Sequence, residues 1–382
     1  MDFMGKNFDK EKHSLINVLY QRERDEDGKF VDAILIIYKN NETGEKLSKV
    51  IKNPEYEYYV TKPEYRNYNH NMAFIEKDKV DPVICQYRNL VFDIAKSTNQ
   101  DDFVKRCLET RNSRMLKQVN MSPYVFASDI SIETFYRVQW MLNYDVGKTP
   151  RLSRLYFDIE VDSIDINGFP TEGNCPINAV TIVDEETMTS HTMLLNNPNN
   201  PLIDDFVRRQ DEFQQELHEM FDESYGVLDY KIYMYDDELE MIRDMFRLIN
   251  TLKRDFALAW NGGGFDLPFI IDRIKVLGGD PGRIMCHPDF DIKTCSFHKD
   301  TTNFNIANKG DSLKLASYTK FIDQMVLYGA VRKGQKEPRS YSLNFIGQEL
   351  LKDGKLDYSE EANIKTLPYK NYWLFVLYNI KD

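Results

Sequence analysis

The five residues 157–161 alternate between apolar and acidic side chains, and this pattern constrains the fold of the chain most strongly. On a β-strand, Phe157 and Ile159 point to one face, whereas Asp158 and Glu160 point to the other. Two carboxylates on one face repel each other unless solvent or a cation relieves them. Taken alone, the pattern favours a strand with a wet acidic face over a metal site.

Strands and helices alternate after about residue 151, which predicts an α/β domain. Strands are predicted at 155–161, 177–183, 189–195 and 256–260. A helix capped by Asp236 or Asp237 is predicted to run to about residue 254. The polar, acidic stretch 196–230 is interpreted as an insertion that leaves the core of the domain.

The first 150 residues have a different pattern of predicted strands and helices. Residues 29–52 are predicted to form a hairpin and residues 97–143 to be helical, with a linker at 145–154. The tyrosine-rich stretch 55–68 has two interpretations, a strand with one packed aromatic face or a platform on which single-stranded bases stack.

The composition limits the classes of function. The net charge of −12 argues against a protein that binds duplex DNA by phosphate neutralisation, but it leaves a metal-dependent nuclease open. The chain has no run of about 20 apolar residues and no apolar signal region at its start, so no membrane partner is expected. Five scattered cysteines fit reduced thiols and a cytoplasmic location. A zinc site was weighed for Cys286, His287, Cys295 and His298, but their spacing lacks the usual ligand pairs.

Two further acidic segments contain candidate site residues. Residues 260–268 end a strand, turn through three glycines and begin a helix near Asp266. Ligand sites in open α/β sheets lie beyond the carboxyl ends of strands, although Asp266 alone is equally a helix cap. Tyr378 and Asp382 stand four residues apart and share one face of a predicted helix, which alone is an ordinary helix end.

Together these segments resemble a known family. The order D-x-E, N-x-x-x-F-D, Y-x-x-x-D matches the Exo I, Exo II and Exo III motifs of family B DNA polymerases, in the tyrosine variant of the DEDD exonucleases. Residues 176–182 resemble the second sheet strand of that domain, and 341–346 resemble the motif that holds the primer strand. Residues 354–358 are similar to the segment that follows it. The resemblance is to the T-even bacteriophage type and covers about 151–382, with only positional similarity over 1–150.

The resemblance implies a fold and a domain plan. The expected fold is an α/β, ribonuclease H-like mixed sheet flanked by helices, with a smaller α+β N-terminal domain. The expected boundaries are 1–150 for the N-terminal domain, 151–340 for the exonuclease domain, and 341–382 for a return segment and the Exo III helix.

The resemblance also implies which residues act. Four carboxylates are expected to hold two Mg²⁺ or Mn²⁺ ions: Asp158, Glu160, Asp266 and Asp382. Asp158 is expected to bridge both ions, with Glu160 and Asp382 on the ion that activates water. Asp266 is expected to serve the other ion, mostly through waters, and Tyr378 to orient the attacking water. Contacts to the single-stranded primer 3′ end are expected from Asn261, Phe265, Ser342 and Leu343.

The palm motifs of family B polymerases do not occur in this sequence. The implied function is therefore the 3′→5′ proofreading exonuclease part of a DNA polymerase whose polymerase domain lies in a continuation or in a partner chain. The alternatives are a non-catalytic half of a split polymerase and a stand-alone DEDD nuclease acting on RNA. Because Asp382 is the last residue, about 15 further residues are expected to raise activity by securing its helix. The expected location is the cytoplasm, that of the host if the protein is viral.

Overall fold

Two separate cores organise the chain. The computed structural model describes residues 3–5, 8–24, 30–66, 76–145, 147, 151–335, 337–361 and 363–382. Within them the chain divides into two units, Met1–Pro150 and Arg151–Asp382. Of the linker predicted at 145–154, residues 146 and 148–150 lie outside the described residues.

The first unit combines two antiparallel sheets with helices. Its described strands are β1 (His13–Arg24), β2 (Phe30–Asn40), β3 (Lys46–Lys52), β4 (Glu55–Thr61), β5 (Val80–Gln86) and β6 (Val125–Phe126). They pair in the orders β1-β2-β3 and β5-β4-β6. Its α-helices are α1 (Leu90–Ser97), α2 (Asp101–Glu109), α3 (Ser113–Leu116) and α4 (Ile132–Asn143). The hairpin predicted at 29–52 is confirmed as β2 and β3, and β1 adds a third strand that the sequence pattern did not predict.

Two expectations for this unit need correction. Tyr56 and Tyr58 are fully buried, so the packed aromatic face is confirmed and the stacking platform is wrong for them. Tyr68 lies outside the described residues. The helical segment predicted at 97–143 is interrupted: left-handed backbone follows α1 and α2 at Asn99 and Arg111, and β6 pairs with β4.

The second unit alternates strands and helices as the sequence predicted. Its strands are β7 (Arg154–Val161), β8 (Ile177–Asp184), β9 (Thr189–Leu195), β10 (Asp229–Tyr235), β11 (Phe256–Ala259), β12 (Cys295–His298), β13 (Ser312–Leu315) and β14 (Lys320–Asp323). Its helices are α5 (Pro201–Arg208), α6 (Gln210–Tyr225), α7 (Glu238–Leu252), α8 (Asp266–Val276), α9 (Pro281–Met285), α10 (Gln324–Val331), α11 (Leu343–Leu350), α12 (Leu367–Lys370) and α13 (Tyr372–Lys381). Short 3-10 turns in the two units occupy Lys10–Lys12, Pro63–Tyr65, Lys77–Lys79, Tyr87–Asn89, Lys117–Met121, Ile306–Asn308 and Ser359–Glu361.

A mixed sheet of six strands forms the centre of the second unit, in the order β10-β9-β8-β7-β11-β14. Strands β7, β8 and β9 pair antiparallel, whereas β10 is parallel to β9, and β11 is parallel to both β7 and β14. β12 and β13 form a separate hairpin. The acidic strand β7 therefore has a neighbour on each side.

The polar stretch 196–230 is not an insertion that leaves the core, so the interpretation given above is wrong. It forms α5 and α6, and their apolar residues recur at helical spacing within a mostly charged sequence. Five of these side chains are buried in the core shared with α13: Ile203, Phe206, Phe213, Leu217 and Phe221. The amphipathic pattern was present, but the high charge of the exposed faces concealed it.

Candidate active site

The acidic face of β7 forms the floor of the site. Phe157 and Ile159 are buried on the opposite face, whereas Asp158 and Glu160 are partly buried on this one. The strand register sets Asp158 opposite Thr181 of β8. The predicted alternation on this strand is therefore confirmed, and both carboxylates point to the same side of the sheet.

Helix α13 covers this face and brings the third carboxylate. It packs on β7 and β8, and the side chain of Asn371 caps its first turn by accepting a hydrogen bond from the Leu374 amide at 3.0 Å. One carboxylate oxygen from each of Asp158, Glu160 and Asp382 lies within 4.8 Å of the others. Among the described residues this is the only group of three such side chains that can meet around one ion.

Asp266 lies beside this group without being one of the three. It is the first residue of α8 and is almost fully buried. The preceding turn needs Asn261 in the left-handed region (φ 62°) and glycine at 264, because a Cβ there would lie 2.1 Å from the Asn261 amide oxygen. The Asp266 carboxylate accepts a hydrogen bond from the backbone amide of Ile159 on β7, and its charge raises the pKa of Asp158.

Lys355 supplies a cation that the sequence analysis did not assign. Its ammonium group donates a hydrogen bond to the Tyr378 hydroxyl at 2.8 Å and forms an ion pair with Asp382. The same ammonium lies 5.0 Å from the centre of the Tyr378 ring. A single lysine in a return segment carries no spacing signal, so only its match to the family segment 354–358 could have indicated it.

The carboxylates resist ionisation where they lie. Burial raises the pKa of Asp158 well above its usual range, and the charges of Asp266 and Glu160 add to that effect. Burial, followed by the Asp382 charge, raises the pKa of Glu160 to about 8. Burial also raises the pKa of Asp266 to about 7, although hydrogen bonds from backbone amides oppose this. Buried carboxylates whose ionisation is opposed by burial and by one another are suited to binding cations, because a cation favours their charged forms.

The Glu160 carboxyl makes stability pH-dependent when divalent ions are absent. Its folded-state pKa lies above its ordinary value of 4.5, so between these values the folded state holds a proton that the unfolded state has lost. Its contribution is fully present below about pH 4.5 and is lost as pH rises through about 8. We expect the free energy of unfolding in EDTA to fall by about 2 kcal/mol between pH 6 and pH 9.

Urea titrations at each pH measure this effect, and Glu160→Gln is the control that should reduce it, the remainder coming from Asp158 and Asp266, whose pKa values are raised as well. Saturating Mg²⁺ should also remove the loss, because an ion at the site replaces the proton. An unfolding free energy in EDTA that is constant or rises over this pH range would contradict the assigned shift.

A cavity of about 1020 Å³ opens beside the carboxylates. Its lining includes Asp158 and Tyr378, and three of the side chains predicted to hold a nucleic acid strand: Asn261, Ser342 and Leu343. Ser342 also caps α11 by accepting a hydrogen bond from the Phe345 amide at 3.3 Å. The fourth, Phe265, packs against Phe169 with ring centres 5.2 Å apart, and the described residues that line the cavity do not include it.

Three of the four side chains considered as zinc ligands have local partners. Cys286 donates from its thiol to the Thr294 carbonyl at 3.2 Å, and Cys295 lies 3.6 Å from the Met285 sulfur. The His287 ring accepts a hydrogen bond from the Asp289 amide at 3.1 Å. These contacts explain the positions of the three side chains.

The site combines an acidic strand in a mixed sheet with a covering helix that supplies a third carboxylate. This arrangement defines a nuclease-like class of site. The model of the DNA polymerase family B exonuclease domain matches residues 104–345. The chain belongs to this family. Tyr378 and Asp382 lie beyond the matched residues.

Individual relatives agree with this assignment. The DNA-directed DNA polymerase of Escherichia phage RB69 is 28% identical over 59% of this chain and 24% of its own length. The DNA-directed DNA polymerase of Enterobacteria phage T4 is 27% identical over 41% of the chain and 16% of its own length. The DNA polymerase of Orgyia pseudotsugata multicapsid polyhedrosis virus is 25% identical over 44% and 16%. The chain thus spans a quarter or less of these relatives. No helix in the described part of the chain is both long and apolar enough to cross a membrane.

Proposed function

We propose that the chain is the 3′→5′ proofreading exonuclease portion of a family B DNA polymerase, which hydrolyses phosphodiester bonds at single-stranded 3′ ends. The observation that carries this proposal is the meeting of Asp158, Glu160 and Asp382 beside the cavity. The proposed fold is ribonuclease H-like, which the mixed six-stranded sheet with its acidic inner strand supports. The proposed plan keeps the expected boundaries at 150 and 340.

The proposed cofactors are two Mg²⁺ or Mn²⁺ ions. The donor set fits them, because it consists of hard carboxylate oxygens that repel one another in the absence of a cation. Asp158, Glu160 and Asp382 would hold one ion, and Asp158 with Asp266 the other. When bound, the ions supply an activated water and charge stabilisation at the leaving oxygen.

Tyr378 and Lys355 are proposed to position the reacting groups. Burial, followed by the charges of Asp382 and Glu160, raises the pKa of Tyr378 above its ordinary value of 10, so its hydroxyl remains protonated. Such a hydroxyl donates or accepts a hydrogen bond but does not act as a base near neutral pH. Burial disfavours the Lys355 charge, yet Asp382 and the other carboxylates raise the pKa of its ammonium, which therefore stays cationic.

Tyr378→Phe tests the positioning role. We expect the rate constant of hydrolysis to fall by about 10–100-fold with little change in KM, since the hydroxyl orients water and does not bind the strand. Single-turnover rates on single-stranded DNA measure this. Tyr358→Phe is a matched control, because that ring packs against Tyr378 with centres 5.2 Å apart but its hydroxyl is not assigned a role. Equal rates for wild type and Tyr378→Phe would contradict the positioning role.

The proposed substrate is a single DNA strand that enters the cavity by its 3′ end. Asn261 and Phe265 are assigned to the terminal nucleotides, and Ser342 and Leu343 to the strand behind them. Base stacking is worth about 1–3 kcal/mol per base and tolerates any sequence, which a proofreader requires. A paired end must first melt, and a mismatched end melts at lower cost, so the site selects errors.

The proposal is tested with single-stranded DNA labelled at the 5′ end and, separately, at the 3′ end. Stepwise shortening of the 5′-labelled strand with immediate loss of the 3′ label, dependent on Mg²⁺ or Mn²⁺ and abolished by EDTA, is expected. Faster degradation of the matching RNA would instead favour a nuclease for RNA. No shortening at high protein concentration with Mn²⁺ would favour a non-catalytic half of a split polymerase, and a partner chain would then be sought.

The proposal includes polymerisation only because the relatives are DNA polymerases. We propose that a polymerase region, in the same chain or in a partner, supplies the primer end that this site edits. The corresponding location is the cytoplasm in which replication takes place, that of the host for a viral protein.

A further inference from the structure

A row of polar side chains crosses the sheet beneath α13. Thr192 of β9 lies opposite Thr181 of β8, and Thr181 lies opposite Asp158 of β7. Residues directly opposite on antiparallel strands share a face, with Cβ atoms about 4.5–5.5 Å apart. Both threonines are buried, and the side chain above them is Asn379 of α13, which is 1% exposed.

Hydrogen bonds along this row have one direction. The Thr181 hydroxyl donates to the Asn379 side-chain oxygen at 2.6 Å. Because a threonine hydroxyl carries a single proton, the 3.0 Å contact between Thr181 and Thr192 must use Thr192 as donor. The donors therefore run from β9 to β8 and from β8 to α13, and the row ends at the Asn379 amide.

The end of the row is an unused donor. The Asn379 side-chain nitrogen is buried and has no hydrogen-bond partner among the described residues. A buried polar group without a partner destabilises the fold, so its retention calls for a second role. The next side chain in the row beyond Thr181 is the Asp158 carboxylate.

We propose that Asn379 is a positioning residue for the metal site, resting on the function proposed above. Its oxygen fixes α13 to β8 through Thr181, and its free amide protons are held for the Asp158 carboxylate when that group binds a cation. Groups that hydrogen-bond a ligating carboxylate orient it, and their loss commonly weakens metal binding by about 10–100-fold.

The test measures Mn²⁺ binding by isothermal titration calorimetry on the full chain, so it does not depend on turnover. Asn379→Leu removes both the oxygen and the donor at nearly constant volume. Thr181→Val removes the bond that fixes the helix and the bond from Thr192, but keeps the Asn379 amide protons. Thr192→Val is the matched control, since it deletes a buried hydroxyl one strand further from the site. Thermal unfolding of each variant separates lost stability from lost binding.

We expect Asn379→Leu to raise the Kd for Mn²⁺ by about 10–100-fold, and both threonine variants to stay within about threefold of wild type. If Asn379→Leu does not fold, Asn379→Ala is used, and the same result is expected. Equal Mn²⁺ affinities for the asparagine and Thr181→Val variants would overturn the positioning role while leaving the exonuclease proposal intact. Failure of the wild type itself to bind Mn²⁺ would overturn both.

Discussion

A protein that carries both Asp158→Ala and Glu160→Ala is expected to shorten single-stranded DNA at least about a thousandfold more slowly than the wild type, or about 4 kcal/mol of activation free energy. Both carboxylates belong to the group that meets within 4.8 Å, so their removal leaves Asp382 as its last member. Single-turnover rates at saturating Mn²⁺ measure the loss without interference from substrate affinity.

Folding does not explain the expected loss. Burial and mutual repulsion oppose ionisation of these carboxylates, so the double variant should unfold in EDTA at a temperature no lower than the wild type. Glu185→Ala is the matched control: this carboxylate is exposed, pairs with Arg154 at 2.7 Å and stands outside the site. A double variant that keeps full activity would place the catalytic centre elsewhere.

Arg273→Met is expected to destabilise the second unit by about 3–5 kcal/mol, because it leaves the buried Glu238 carboxylate without its cation. The Arg273 guanidinium binds Glu238 with two hydrogen bonds, at 2.8 and 2.6 Å, and also donates to the Gly173 carbonyl at 3.0 Å. Glu238 in turn accepts a hydrogen bond from the Ile177 amide at 2.7 Å. One ion pair thus joins α8, α7 and the start of β8.

Differential scanning calorimetry measures this prediction. For a unit of this size, about 2–4 °C is lost per kcal/mol, so the melting temperature should fall by about 6–20 °C. Arg247→Met is the matched control, since Arg247 pairs with Asp244 on the exposed face of α7 and such pairs contribute about 0–1 kcal/mol. Adding Glu238→Gln to Arg273→Met should recover part of the loss. A fall no larger than that of the control would contradict the argument.

The parts of the site that local patterns determine were predictable from the sequence. The two-residue period of β7 set Asp158 and Glu160 on one face, and the glycine turn led into a helix that begins at Asp266. The four-residue spacing of Tyr378 and Asp382 matches their common contact with Lys355. In each case the deciding interaction lies within a few residues of chain.

The parts that depend on distant packing were not predictable. Lys355 reaches the carboxylates only because residues 343–355 return to the sheet, and no period in the sequence encodes that path. The two helices α5 and α6 were missed because their apolar residues are few among many charges, and their partner, α13, lies more than 140 residues further on. The roles assigned to individual site residues stay predictions, since they depend on bound groups that side-chain geometry alone does not supply.

Because β7 lies inside the sheet, we expect its backbone hydrogen bonds to open more slowly than those of the cavity wall. Residues 155–161 of β7 pair with β8, and residues 154–156 pair with β11, so we expect exchange of the amide protons in these pairings to require opening of the sheet. The cavity wall at 341–359 consists of a short helix and loops, which open locally. For the proposed function, we expect movements of the wall to accommodate a strand of any base sequence while the spacing of the carboxylates stays unchanged.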